Sequence, residues 1–154
     1  MIMNTWFLAK CKYEKVSEDG KQKKVTEQYM VDALSFTEAE ARITENLTPY
    51  IKGEFKVIGL NMVNISEFFA SDNPDYDKWY KIKAAHISLD EKSGKEKKSS
   101  WFAIVAGNST KTAEEHFRER MKGTMADYNV ESVVETPIID VFPYHLEKET
   151  DETR

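Results

Sequence analysis

Hydrophobic and polar positions alternate along residues 5–16: Phe7, Ala9, Cys11 and Tyr13 fall on one side, Trp6, Leu8, Lys10 and Lys12 on the other. A period of two belongs to an extended strand, whose successive side chains point to opposite faces. Glu18-Asp19-Gly20 supplies a turn, and residues 22–34, with Val25, Tyr29, Val31 and Ala33 in phase, return as the second strand of a hairpin. The period then changes. Phe36, Ala39, Ile43, Leu47 and Tyr50 recur at helical spacing, which predicts an amphipathic helix over residues 36–48 that stops before Pro49. Two capping-box patterns mark its start, Ser35 with Glu38 and Thr37 with Glu40. Residues 54–69 predict a long third strand whose apolar phase slips near Gly59, the mark of a bulge or bend.

The same series returns at offsets of 73 or 74. Trp6-Phe7 is answered by Trp79-Tyr80, and Gly20-Lys21-Gln22-Lys23-Lys24 by Gly94-Lys95-Glu96-Lys97-Lys98. Glu38-Ala39-Glu40, Ile43 and Leu47 are answered by Thr112-Ala113-Glu114, Phe117 and Met121. Phe55, Val57, Ile65, Glu67 and Phe69 are answered by Tyr128, Val130, Ile138, Asp140 and Phe142. Strands are expected over 78–89, 99–107 and 128–142, the last interrupted by Pro137, and a helix over 111–122, opened by Thr112 with Glu115 and stopped at Gly123. The chain therefore reads as a tandem duplication of a ββαβ unit, residues 5–70 and 78–145, joined by a polar, proline-broken linker and followed by a charged tail over 146–154. One such unit is marginal alone. Two side by side predict an α+β fold built on one mainly antiparallel sheet, with both helices on one face and the other face uncovered.

Composition narrows the function classes. Hydrophobic residues make up 40% and charged residues 32%, too apolar a mixture for general disorder. The net charge of −5 offers no global attraction to nucleic acid or acidic membranes, so such binding would depend on a local patch. The single cysteine, Cys11, excludes an intrachain disulfide and a thiolate metal cluster. No signal-peptide pattern and no membrane-spanning apolar run occur, so a cytoplasmic protein without membrane contact is expected.

Candidate chemistry is sparse. His86, His116 and His145 are far apart and form no metal-binding pair, and no GxSxG, GxxxxGK[ST] or GxGxxG frame is present. Asp72, Asp75 and Asp77 fail the calcium-loop pattern, because Lys78 and Ala84 stand where Gly and Glu are required. Glu67 and Asp140 occupy matching positions, and paired carboxylates can act as acid and base, so an enzyme built on them is the least favoured reading. No cofactor is implied.

The strongest constellation joins tryptophan with lysine. Trp6, Lys10 and Lys12 share one strand face, as do Trp79, Lys81 and Lys83, and the turns add Lys23 and Lys24 in one copy and Lys97 and Lys98 in the other. Exposed aromatics beside lysines hold single-stranded DNA or RNA by stacking bases and tracking phosphates. The alternative is an assembly module, the tryptophans packing in a homo-oligomer interface and the lysines protecting strand edges.

The segment from Gln28 to Arg42, which contains VDALSFTEAEAR, together with Trp6-Phe7 upstream and Gly53-Glu54-Phe55 downstream, resembles a domain-of-unknown-function family of Bacteroidetes-type bacteria and their phages. The resemblance covers nearly the whole chain. It implies no activity, and its phage association points towards DNA transactions. At the level of fold, the design is also similar to single-strand-binding proteins of the PUR and Whirly type, although those place four strands before each helix.

Overall fold

In the computed structural model, which describes residues 5–124 and 127–143, the alternating segments form two long hairpins. The first pairs β1 (Thr5–Val16) with β2 (Gln22–Ala33), and the second pairs β5 (Lys78–Leu89) with β6 (Glu96–Gly107). Each turn uses a glycine at positive φ, Gly20 at 81° and Gly94 at 68°, a region that other residues rarely enter. The remaining elements are α1 (Phe36–Leu47), β3 (Phe55–Val63), β4 (Glu67–Phe69), α2 (Thr110–Met121), β7 (Tyr128–Glu135) and β8 (Ile138–Phe142). The class is α+β with mostly antiparallel sheets and two helices, as the sequence predicts. Among the described residues, no helix is long and apolar enough to cross a membrane.

The sheet arrangement differs from expectation. Instead of one sheet carrying both helices there are two four-stranded sheets, ordered β3-β1-β2-β8 and β4-β6-β5-β7, each with its own helix. The expected third strands, 54–69 and 128–142, each break in two, and the piece after the break joins the other sheet. There β8 runs parallel to β2, and β4 runs parallel to β6. The chain accordingly divides into one unit made of residues up to Val63 with those from Pro137 onward, and a second spanning Asn64–Thr136.

Connection length explains the break. To reach the free side of its own β2, the segment after β3 would have to pass β1 and β2, about 14 Å across three strand spacings. The four steps from Val63 through Asn64, Ile65 and Ser66 to Glu67 span at most roughly 14 Å, which leaves no length to arch over the sheet, and a parallel return normally takes about a dozen residues. The two exchanges share one register: Glu67, Phe68 and Phe69 lie opposite Ala103, Ile104 and Val105, while Asp140, Val141 and Phe142 lie opposite Tyr29, Met30 and Val31. A bulge also recurs. β3 inserts Ile58 between the partners of Lys10 and Cys11, beside Gly59 as the slipped phase predicts, and β7 inserts Glu131 between the partners of Lys83 and Ala84.

Each unit buries one helix stripe against one sheet face. Ala39, Ile43 and Leu47 of α1 meet Phe7, Ala9, Cys11, Tyr29, Val31 and Ala33, while Phe117 and Met121 of α2 meet Phe69, Ile82, Ala84, Ala103 and Val105. Ser35 caps α1, accepting from Glu38 N at 3.1 Å, but the Glu38 carboxylate takes the Leu34 amide instead of closing the box. For α2 the cap is Ser109, closed reciprocally by Thr112, so the pair of Thr112 with Glu115 is not the capping box. A threonine hydroxyl at the third helical position accepts the cap amide as a glutamate would.

Gly107 sets the closest approach of α2 to its sheet. A Cβ there would lie 3.0 Å from both Cα and N of Ala113 and 3.1 Å from its Cβ. Gly107→Val is therefore expected to cost about 1–3 kcal/mol through overpacking, seen as a lower Tm. An unchanged Tm would mean that α2 does not press on β6.

Candidate nucleic-acid interface: the lysine ends of the two sheets

On β1 the helix side carries Phe7, Ala9, Cys11 and Tyr13, so Trp6, Leu8, Lys10 and Lys12 lie on the helix-free side. That side is not uniformly open. Met30 and Val141 upon it are only 1% and 6% accessible, and Trp6 and Leu8 are half-buried. Towards the hairpin turn the character changes. Lys12 stands directly opposite Lys56 of β3, Lys10 lies over Gly59, and Lys24 is opposite Glu14. Lys10, Lys12, Lys24 and Lys56 are all exposed, and among the described residues none has a carboxylate within ion-pair distance. Lys12, Lys24 and Lys56 line an open groove of about 830 Å³, with Lys52 added from the loop before β3, Val16 and Ile58 as apolar contributors, Tyr13 at its edge, and Glu14 and Glu54 as its acids.

The second sheet treats its lysines differently. Lys81 lies over the Phe102 ring, its Nζ 4.5 Å from the centroid. Lys83 and Lys98 converge on Glu131, the extra residue of the β7 bulge: Lys83 Nζ is 3.8 Å from Oε1, and Lys98 pairs with Oε2. The hydrogen bond from Lys98 holds the Glu131 carboxyl below the usual carboxylate range, aided by the charges of Lys98 and Lys83. Trp79 is half-buried against Phe68, ring centroids 5.3 Å apart. Of the residues singled out by sequence, the fold thus gathers Lys10, Lys12 and Lys24. It leaves Trp6 at the far end of the same face, and turns Lys23 and Lys97 to the opposite side of their hairpins from Lys24 and Lys98. Lys52, Lys56, Ile58 and Glu131 were not recognised in the sequence; the phase slip near Gly59 was the one signal pointing to the bulge where two of them sit.

The other candidates have structural partners. His86 Nδ1 bonds Asp127 O at 3.2 Å with its ring stacked on Trp101, and His116 Nδ1 bonds Ala106 O at 2.9 Å; His145 lies outside the described residues, as does the expected tail over 146–154. Asn73 Oδ1 accepts from Asp75 N at 2.9 Å, a side-chain turn within the acidic linker. Glu67 and Asp140 are exposed and belong to different units. Partial burial of its carboxyl group raises Asp140, against the pull of the Val141 amide 2.8 Å away. Among the described residues, no group of three or more His, Cys, Asp or Glu is placed to hold a metal ion.

Comparison with known proteins follows the same outline. The model of the domain of unknown function DUF4494 matches residues 5–144. The chain belongs to the DUF4494 family. The match spans both hairpins, both helices and the exchanged strands, so both sheets lie within the DUF4494 domain. No curated protein matches the chain. For this DUF4494 domain, function is therefore read from the side chains themselves.

Proposed function

We propose that this chain is a non-enzymatic binding protein whose ligand is single-stranded nucleic acid, held at the lysine end of the first sheet. One observation carries the reading: Lys10, Lys12, Lys24 and Lys56 share one sheet face, and among the described residues none has a carboxylate within ion-pair distance. Lysines held by strands cannot spread apart to relieve their repulsion, so a polyanion gains more there than on a mobile loop. Val16 and Ile58, both exposed, line the same groove as Lys12 and Lys56 and offer apolar surface to unstacked bases. Phosphates track the lysines, and the overall charge of −5 limits binding to this patch.

The matching registers, bulges and cap positions also support descent of the two units from a duplicated ββαβ element, each copy giving its last strand to the other sheet. A reduced, buried Cys11 suits a cytoplasmic setting.

Four lysine–phosphate contacts predict that log K for labelled oligo-dT falls with log salt at a slope of about −3. Replacing Lys12 and Lys56 with Gln should halve that slope and weaken binding about 10- to 100-fold at low salt, measured by fluorescence anisotropy. Absence of any anisotropy change at micromolar protein in low salt would rule out the proposal.

A further inference from the structure

The two sheets present related lysine frameworks that differ at the bulge and around it. Lys10 of the first sheet lies beside the bulge residue Ile58 while Lys24 stands opposite Glu14; their equivalents Lys83 and Lys98 both reach the bulge residue Glu131, and Ile87 takes the place of Glu14. Lys12 and Lys56 are answered by Ala85 and Asn129. The first site is thus richer in charge and has an uncharged bulge. The second has two lysines with a carboxylate already seated between them.

Resting on the nucleic-acid reading above, we infer that Glu131 acts as an internal stand-in for a phosphate and closes a second lysine site, so that each chain binds strand through the first sheet alone. The bulge makes this possible. An inserted residue re-aims its side chain relative to the regular ladder, and here it brings one carboxylate to Lys83 and Lys98 together, whereas a regular alternation offers it to one neighbour. Only 21% of the Glu131 side chain is accessible, so its ion pairs are better shielded from water than the outward-facing pair of Lys122 with Glu119, whose side chains are 73% and 67% accessible. A phosphate arriving at Lys98 must displace that carboxylate and would be repelled by it. In the first sheet Ile58 offers no such competition.

Glu131→Gln removes the charge and keeps the size. With an oligo-dT of about eight nucleotides, the wild-type chain should bind one strand, and the variant should approach two at saturation. The two lysines of the second site should give that site its own salt slope of about −1.4, so that lowering salt from about 200 to about 50 mM strengthens binding there about sevenfold. Adding Lys98→Gln to the variant should remove most of this gain, with far-ultraviolet circular dichroism confirming that both variants are folded. Unchanged stoichiometry and slope in Glu131→Gln, where the wild type binds, would overturn the inference and leave the first-sheet reading intact. Binding by the variant but not the wild type would support the inference and overturn that reading. Binding by neither would overturn both.

Discussion

Phe117→Ala should lower the stability of the second unit by about 3–5 kcal/mol. Phe117 is wholly inaccessible to solvent and is the centre of an aromatic cluster. Its ring centroid lies 5.9 Å from Phe69, 5.6 Å from Trp101 and 5.6 Å from Tyr128, the last in an edge-to-face arrangement at 88°. Those three rings come from β4, β6 and β7, so truncation loosens strands from both sides of the sheet and not merely the helix that bears the residue. Loss of the ring leaves a cavity that stiff aromatic neighbours cannot fill by small rotations, which places the cost in the upper part of the usual range for core truncation. Each ring pair contributes a further increment of about 0.5–1.5 kcal/mol beyond area burial. The first unit has Ile43 at the equivalent place, also at 0% exposure, and Ile43→Ala should cost about 2–5 kcal/mol. Urea denaturation followed by fluorescence gives the number. A loss under about 1 kcal/mol for Phe117→Ala, the size of a surface change, would contradict a core centred on this residue.

Stability should also fall steeply above pH 9, and for an identifiable reason. Burial pushes the Cys11 thiol from 9.0 up to about 11, with the charge of Glu27, its cross-strand neighbour, adding to the effect. The Glu27 carboxylate accepts from Tyr13 Oη at 2.6 Å and from Tyr29 Oη at 2.9 Å. Burial first, then these hydrogen bonds and the Glu27 charge, push the Tyr13 phenol from 10.0 up to about 12 and raise Tyr29 further. Below pH 9 the folded and unfolded states hold the same protons on these groups. Between 9.0 and about 11 the unfolded thiol has lost its proton while the folded one keeps it, so the unfolding free energy drops by about 1.4 kcal/mol per pH unit for that group. Cys11 alone then removes roughly 2–3 kcal/mol by pH 11, and the phenols act in the same direction above pH 10. Cys11→Ala should flatten the first part of the decline, and Glu27→Gln should lower the phenol titrations observed by phenolate absorbance. Titration of the folded thiol and phenols at their ordinary values would contradict the cluster.

Legibility of the site followed the range of the interactions. Lys10, Lys12 and Lys24 could be placed on one face from strand alternation and the hairpin turn alone, because β1 and β2 are neighbours in sequence and their register is set by the turn. Lys56 joins them only through the pairing of β1 with β3, which crosses the whole helix, and its partnership with Lys12 depends on the bulge at Ile58. The burial of the tryptophans is likewise beyond the reach of alternation. Alternation puts Trp6 and Trp79 on the same strand faces as the lysines, but it does not report how deeply each end of a face is buried, and both rings are half-buried. The α2 cap was displaced because two hydroxyls, Ser109 and Thr112, compete for the role, and only the backbone path shows that the amide of Thr112 points at Ser109.

Local chemistry by itself determined the two hairpins, the two helices, the glycine turns, the slip beside Gly59 and the interruption at Pro137, since each depends on residues within a few positions of one another. The tertiary structure alone decided that β4 and β8 cross to the opposite sheets, and that Glu131 pairs with Lys83 and Lys98 while, among the described residues, no carboxylate lies within ion-pair distance of Lys10 or Lys24. A three-residue segment such as β4 carries the same alternating pattern whichever strand it joins. The length of its connection disfavours a parallel return within its own sheet, and that constraint is not written in the order of hydrophobic and polar residues.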